Sequence, residues 1–145
     1  MRSSFVLIGG LVLVLLSMVA CTTNSANVTM EISCDDFMAS SQSPVIINKQ
    51  VNVKTGAMLT VKLCSNQTTG FHWTEDAKIS DTSILQQVEH KYTAPGTDMP
   101  GAPGEEVWTF KAMKAGTCTV AMEYSRPWEG GEKGVWKYNL AVTVK

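Results

Sequence analysis

The chain has 145 residues and a mass of 15.7 kDa, enough for one ordinary domain and too few for two comfortable ones. Hydrophobic residues make up 44% and charged residues 17%, which permits a packed core and excludes wholesale disorder. The formal charge of -1 is scattered rather than run in blocks, so no basic surface suited to nucleic acid is present. Two histidines, His72 and His90, restrict histidine catalysis and histidine-rich metal sites, and no cofactor or metal is expected.

Arg2 precedes an uninterrupted apolar run from Phe5 to Leu16, followed by Ser17, Met18, Val19, Ala20 and Cys21. A basic start, a short apolar segment and a small residue before the break predict a secretory signal over residues 1–20. The run is shorter than the ~20 residues a spanning helix needs. Met18-Val19-Ala20-Cys21 resembles the lipobox of bacterial and archaeal lipoproteins, which implies cleavage before Cys21 and lipidation on it. The alternative is a plain signal with Cys21 as a spare thiol. Residues 21–28 then form a lipidated cysteine and a small polar tether, and residues 29–145 the domain. The expected location is the extracytoplasmic face of a cell membrane, held by lipid, with the domain a monomer.

From Val45 onward short alternating strands are separated by turn residues at regular spacing. The predicted strands are 45–53, 58–65, 71–79, 84–93, 106–113, 118–125 and 135–144. Leu59, Val61 and Leu63 share one face of the second, and Cys118, Val120, Met122 and Tyr124 one face of the sixth. In the fifth, Trp108, Phe110 and Ala112 oppose Val107, Thr109 and Lys111. Residues 29–44 read less clearly, with 28–33 a candidate edge strand, and no helix is predicted. Seven short strands at this spacing predict an all-β, immunoglobulin-like antiparallel sandwich. If consecutive strands run up and down, every second connection lies at the same end. The tight turns after strands one, three and five then gather at one end. The loops 66–70, 94–105 and 126–134 gather at the other, where a rigid scaffold most often carries binding residues.

Asn66-Gln67-Thr68-Thr69-Gly70-Phe71 resembles the Asn-Pro-Thr-Thr-Gly-Phe motif of the chagasin family of cysteine-peptidase inhibitors. Gly101-Ala102-Pro103-Gly104 is similar to its Gly-x-Gly-Gly motif, and Arg126-Pro127-Trp128 matches its Arg-Pro-Trp/Phe motif. The three motifs occur in the family's order, and the resemblance covers roughly residues 45–145. The resemblance implies a reversible inhibitor, not an enzyme, that blocks the cleft of papain-like cysteine peptidases with loops 66–71, 100–105 and 126–131. All thirteen motif residues are implied contacts, with Phe71 anchoring the loop base. Two departures stand out: Gln67 replaces a proline and loses its fixed φ, and Pro103 replaces a glycine and forbids positive φ.

The residues themselves agree with that reading. Thr68 and Thr69 are small, polar and β-branched, Gly70 allows a sharp turn, and Trp128 offers a large aromatic face at low entropy cost. Pro127 and Gly130-Gly131 place Trp128 on a loop, whereas Trp73 and Trp108 read as core. His72 reads as a surface histidine beside the first loop and His90 as solvated. Serine-hydrolase motifs and zinc spacing are absent from the sequence. The competing function is a surface adhesion or carbohydrate-binding module, which would favour a flat aromatic platform. Asn27 and Asn66 head glycosylation sequons, and a glycan on Asn66 would block the first loop.

With Cys21 lipidated, Cys34, Cys64 and Cys118 remain, enough for one disulfide in an exported chain. Alternation turns Cys64 outward and Cys118 inward. The segment carrying Cys34 can pass over the outer face, so the favoured bridge is Cys34–Cys64. Cys118 is then a buried free thiol. A Cys64–Cys118 bridge would require one side chain to change face.

Overall fold

The structure, a computed structural model, describes residues 26–145. The signal run, the lipobox and Cys21 lie outside the described residues. The elements in chain order are β1 (Val28–Ile32), α1 (Cys34–Met38), β2 (Val45–Val53), β3 (Met58–Ser65), β4 (His72–Trp73), β5 (Lys78–Ile79), β6 (Leu85–Thr93), β7 (Gly104–Ala112), β8 (Gly116–Ser125) and β9 (Trp136–Val144). A single 3-10 turn spans Gln67–Thr69. Two sheets face each other, one in the order β1-β3-β7-β6, the other β2-β9-β8-β4 with β5 also on β8.

The period-two pattern produces this sandwich. Leu59, Val61 and Leu63 of β3, Trp108 and Phe110 of β7, Val120 and Met122 of β8, and Tyr138, Leu140 and Val142 of β9 are all buried between the sheets. Each inward face meets the other across one apolar layer, whose burial is the main stabilising term.

Strand direction alternates strictly once β4 and β5 are taken as one interrupted strand. Two neighbouring pairs are nevertheless parallel, which corrects the wholly antiparallel expectation. Val28–Ile32 lies beside Leu59–Leu63, and Val45–Val53 beside Trp136–Val144. The reason is that each pair is separated in the chain by an odd number of strands, with β4 and β5 counted as one, so strict alternation gives both members the same direction.

The third expected strand is broken. From Trp73 to Lys78 the chain advances five positions while its partner advances three, Tyr124 to Ala121. Backbone freed by this bulge is satisfied from the other sheet. Gln87 accepts from the Ala77 amide at 2.9 Å and donates to the Glu75 carbonyl at 2.9 Å, and the Trp108 indole donates to the same carbonyl at 3.0 Å.

Helix α1 was not expected. Ser33 caps it, its hydroxyl accepting from the Asp36 amide while the Asp36 carboxylate accepts from the Ser33 amide and hydroxyl. Those hydrogen bonds hold the Asp36 carboxyl below its ordinary range. Phe37 is buried and stacks on Trp136, with ring centroids 4.6 Å apart. Cys34 and Cys64 form a disulfide with a Cα separation of 5.0 Å, which ties α1 to the outer face of β3. Cys118 is a buried free thiol, and burial raises its pKa.

Candidate functional site

The connections after β3, β6 and β8 meet at one end of the sandwich, and side-chain contacts join them. The tight turns meet at the other, where the Gly56 amide donates to the Ala112 carbonyl and the Met113 amide to the Ile84 carbonyl.

Asn66 organises the first loop. Its Oδ1 accepts from the Thr68 amide at 3.3 Å and the Thr68 hydroxyl at 2.6 Å. Its own carbonyl accepts from the Thr69 amide at 3.2 Å and the Thr69 hydroxyl at 2.6 Å. Its amide donates to the Tyr124 hydroxyl at 2.8 Å, and its Nδ2 donates to the Gly101 carbonyl at 2.8 Å, joining the second loop to the first. Gly70 ends the 3-10 turn at φ +79°, a left-handed conformation that favours glycine. Thr68 and Thr69 are left exposed at the tip.

The third loop closes on itself and on the first. The Gly131 amide donates to the Trp128 carbonyl at 3.1 Å, and the Arg126 amide to the Glu132 carbonyl at 2.8 Å. The Arg126 guanidinium lies 4.4 Å from the Phe71 ring centre, pairs with Glu132 at 3.2 Å and donates to the Thr69 carbonyl at 3.4 Å. Arg126 therefore spends its stacking and pairing capacity inside the molecule, holding loops one and three together. Lys133 donates to the Trp128 and Arg126 carbonyls. Trp128 stands 51% exposed, and its ring edge faces Gly70. Beneath the loops a groove of about 610 Å³ runs toward α1, lined in part by Met38, Phe71, Tyr124 and Trp136.

The motif residues thus occupy one end but play different parts. Thr68, Thr69, Gly101, Pro103, Pro127 and Trp128 are exposed there, with Gln67, Gly70 and Ala102 half-buried. Phe71 stacks on Tyr124 with ring centroids 5.4 Å apart, at the loop base. Gly104, expected in the 94–105 loop, is instead a buried residue of β7, paired with Ser65. A Cβ there would lie 2.3 Å from the Thr93 carbonyl oxygen, so close packing of β6 on β7 is its role. Asn66 likewise frames the loop rather than displaying itself.

His90 is also corrected. It is not solvated but lies 4.8 Å from the Trp108 ring, with Nε2 2.9 Å from Oε2 of Glu106. Glu106 is buried, and its Oε1 accepts from the Ser65 hydroxyl at 2.7 Å and the Trp73 amide at 3.3 Å. Sequence reasoning missed this carboxylate. The available signal was parity, since Glu106 shares the face of Trp108 and Phe110 in β7.

Among the described residues no group of acidic, histidine and cysteine side chains could hold a metal ion. Comparison with known proteins turns this geometry into kinship. Residues 52–142, which carry all three loops, match the sequence model of the chagasin family of peptidase inhibitors. The chain is 37% identical over 82 residues to chagasin of Trypanosoma cruzi, covering 55% of this chain and 74% of that protein. It is 27% identical over 95 residues to amoebiasin-2 of Entamoeba histolytica, covering 66% and 76%. Among solved structures, a cysteine protease inhibitor from Entamoeba histolytica superposes with a TM-score of 0.61 at 19% identity, over 81% of this chain and 96% of that one. PbICP-C, solved in complex with falcipain-2, superposes with a TM-score of 0.52 at 16% identity, over 80% and 99%. The fold is therefore shared with these inhibitors, and by the match over residues 52–142 the chain belongs to the chagasin family of peptidase inhibitors.

Proposed function

We propose that this protein is a reversible, non-covalent inhibitor of papain-like cysteine peptidases that fills the active-site cleft with the first loop and grips its rims with the other two. The observation that carries this reading is the construction of the first loop. Its carbonyls at Asn66 and Gln67 are turned inward, accepting from the Thr69 and Gly70 amides. A loop closed in this way occupies a cleft without presenting an extended bond for attack. It is also preorganised, which reduces the ordering cost of binding.

Both threonine hydroxyl protons are committed within the loop, to Asn66. Outward, the hydroxyls offer acceptor lone pairs. These suit the N–H of an imidazolium such as a thiolate–imidazolium pair carries. Trp128 supplies an exposed aromatic anchor beside this tip. PbICP-C, a protein of the same fold solved in complex with falcipain-2, supports a peptidase as partner.

The anchoring is part of the same proposal. Processing before Cys21 and a lipid on that residue would hold the protein, as a monomer, on the extracytoplasmic side of a membrane. There it would restrain peptidases met at the surface.

The test is an inhibition constant for the full chain, purified in detergent, against papain and against a serine peptidase. Inhibition of papain alone is expected. Trp128→Ala should weaken it about thirtyfold, equivalent to about 2 kcal/mol, with the melting temperature unchanged. No inhibition of several papain-like enzymes at micromolar concentration by the folded protein would overturn the reading. Mass spectrometry should find a diacylglyceryl group on an N-terminal Cys21, and an unmodified Cys21 would remove the anchor.

A further inference from the structure

The feet of the first loop stand in different sheets: Ser65 ends β3 in one, and Trp73 belongs to β4 in the other. Both reach the same carboxylate oxygen, Oε1 of Glu106, at 2.7 and 3.3 Å. The other oxygen, Oε2, faces His90 at 2.9 Å. The Trp73 indole adds a second tie between the feet, donating to the Cys64 carbonyl at 2.9 Å. The side chain of Glu106 is 2% exposed and that of His90 18%. A carboxylate buried so deeply is costly unless its oxygens are occupied, and here three groups from three strands occupy them.

We infer that Glu106, held by His90, is a positioning residue for inhibition: it fixes the spacing of the two feet and so the presentation of Thr68 and Thr69. The inference rests on the peptidase-inhibitor reading but concerns a residue outside all three loops. Because the loop spans from one sheet to the other, its shape depends on how far apart its feet are kept. An apolar core would press the sheets together at a distance set by side-chain size. A shared acceptor sets it by hydrogen-bond length instead, within a few tenths of an ångström. His90 fills the second oxygen and stacks on Trp108, which keeps the carboxylate from turning away.

The test compares Glu106→Met with Glu106→Gln in the full chain. Gln keeps an acceptor oxygen for Ser65 and Trp73 and can donate its NH₂ to the His90 ring. Met fills the space and leaves the Ser65 hydroxyl and Trp73 amide without an acceptor. Glu106→Met should weaken papain inhibition about tenfold or more and speed hydrogen exchange at the Thr69 and Gly70 amides, whereas Glu106→Gln should stay within about threefold of wild type. Val142→Ala, a core change at the opposite end, is the stability control. It should lower the melting temperature without altering inhibition at a temperature where the protein is folded.

Equal inhibition and equal loop exchange in Glu106→Met and wild type would overturn the inference. So would a loss of inhibition in Val142→Ala matching that in Glu106→Met, since stability alone would then explain both. If Glu106→Met does not fold, Ser65→Ala decides, because it frees one foot only; unchanged Thr69 and Gly70 exchange there overturns the inference. Failure of wild type to inhibit would strike the functional reading, while the exchange comparison still judges the positioning.

Discussion

A Cβ built on Gly70 lies 2.6 Å from Cη2 of Trp128, so the glycine that ends the first loop is also the seat of the exposed indole on the third. The two motifs are therefore one surface. Gly70→Ala meets two obstacles at once, the steric clash and the left-handed φ of +79°. The backbone term alone costs roughly 1–2 kcal/mol. We expect inhibition of papain to weaken about tenfold or more, with tryptophan fluorescence reporting the displaced Trp128.

Gln67 occupies the first position of the 3-10 turn, after the Asn66 cap. An N–H at such a position lacks a partner within the turn, and a proline is tolerated there. Gln67→Pro should therefore be neutral or stabilising by roughly 0.4–1 kcal/mol, and should leave inhibition equal or tighter. A thermal melt and an inhibition constant check both parts. Weakened inhibition would show that the loop's present shape depends on Gln67.

The Cys34–Cys64 bridge closes a segment with a sequence separation of 30. A loop of that size corresponds to about 3–4 kcal/mol in the chain-entropy treatment. The paired change Cys34→Ser, Cys64→Ser should lower the urea midpoint accordingly. Inhibition by the protein that remains folded should persist, because the first loop is organised by Asn66 and not by α1.

Tyr138 is fully buried, and its hydroxyl finds no hydrogen-bond partner among the described residues. Burial pushes its pKa up to about 12. The unfolded chain, with an ordinary tyrosine near pKa ~10, loses this proton first as pH rises. Stability should thus fall between about pH 10 and about 12. Tyr138→Phe removes the unpaired hydroxyl and should be neutral or stabilising by up to about 1 kcal/mol at neutral pH. Alkaline unfolding should shift to higher pH, as followed by circular dichroism.

Much of this arrangement was legible in the sequence because it rests on two periodic rules. Alternation at Leu59-Val61-Leu63 and Val120-Met122-Tyr124 identified the inner faces. Strand-direction parity brought loops 66–70, 94–105 and 126–134 to one end. What escaped depends on contacts distant in sequence. The interruption between Trp73 and Lys78 is possible only because Gln87 and Trp108, from the opposite sheet, satisfy its backbone. Helix α1 is one turn long and too short for periodicity to register, although Ser33 and Asp36 carry its capping signal. His90 looked solvated because nothing in its own neighbourhood announces Glu106.

The chain's entry point gives the molecule a polarity. Asn27 Oδ1 accepts from the Met58 amide at 3.0 Å, which fixes the start of β1 at the foot of β3, under the tight turns. The three loops lie at the far end of that strand, roughly 25 Å away for its eight residues. A lipid on Cys21 would be attached through at most about 20 Å of extended chain before Asn27. An anchored copy would then stand as a post, its foot toward the bilayer and its three loops lifted clear of the headgroups. Enzymes arriving from solution would meet the loops first, and a peptidase bound there would be kept at arm's length from the membrane and its neighbouring proteins.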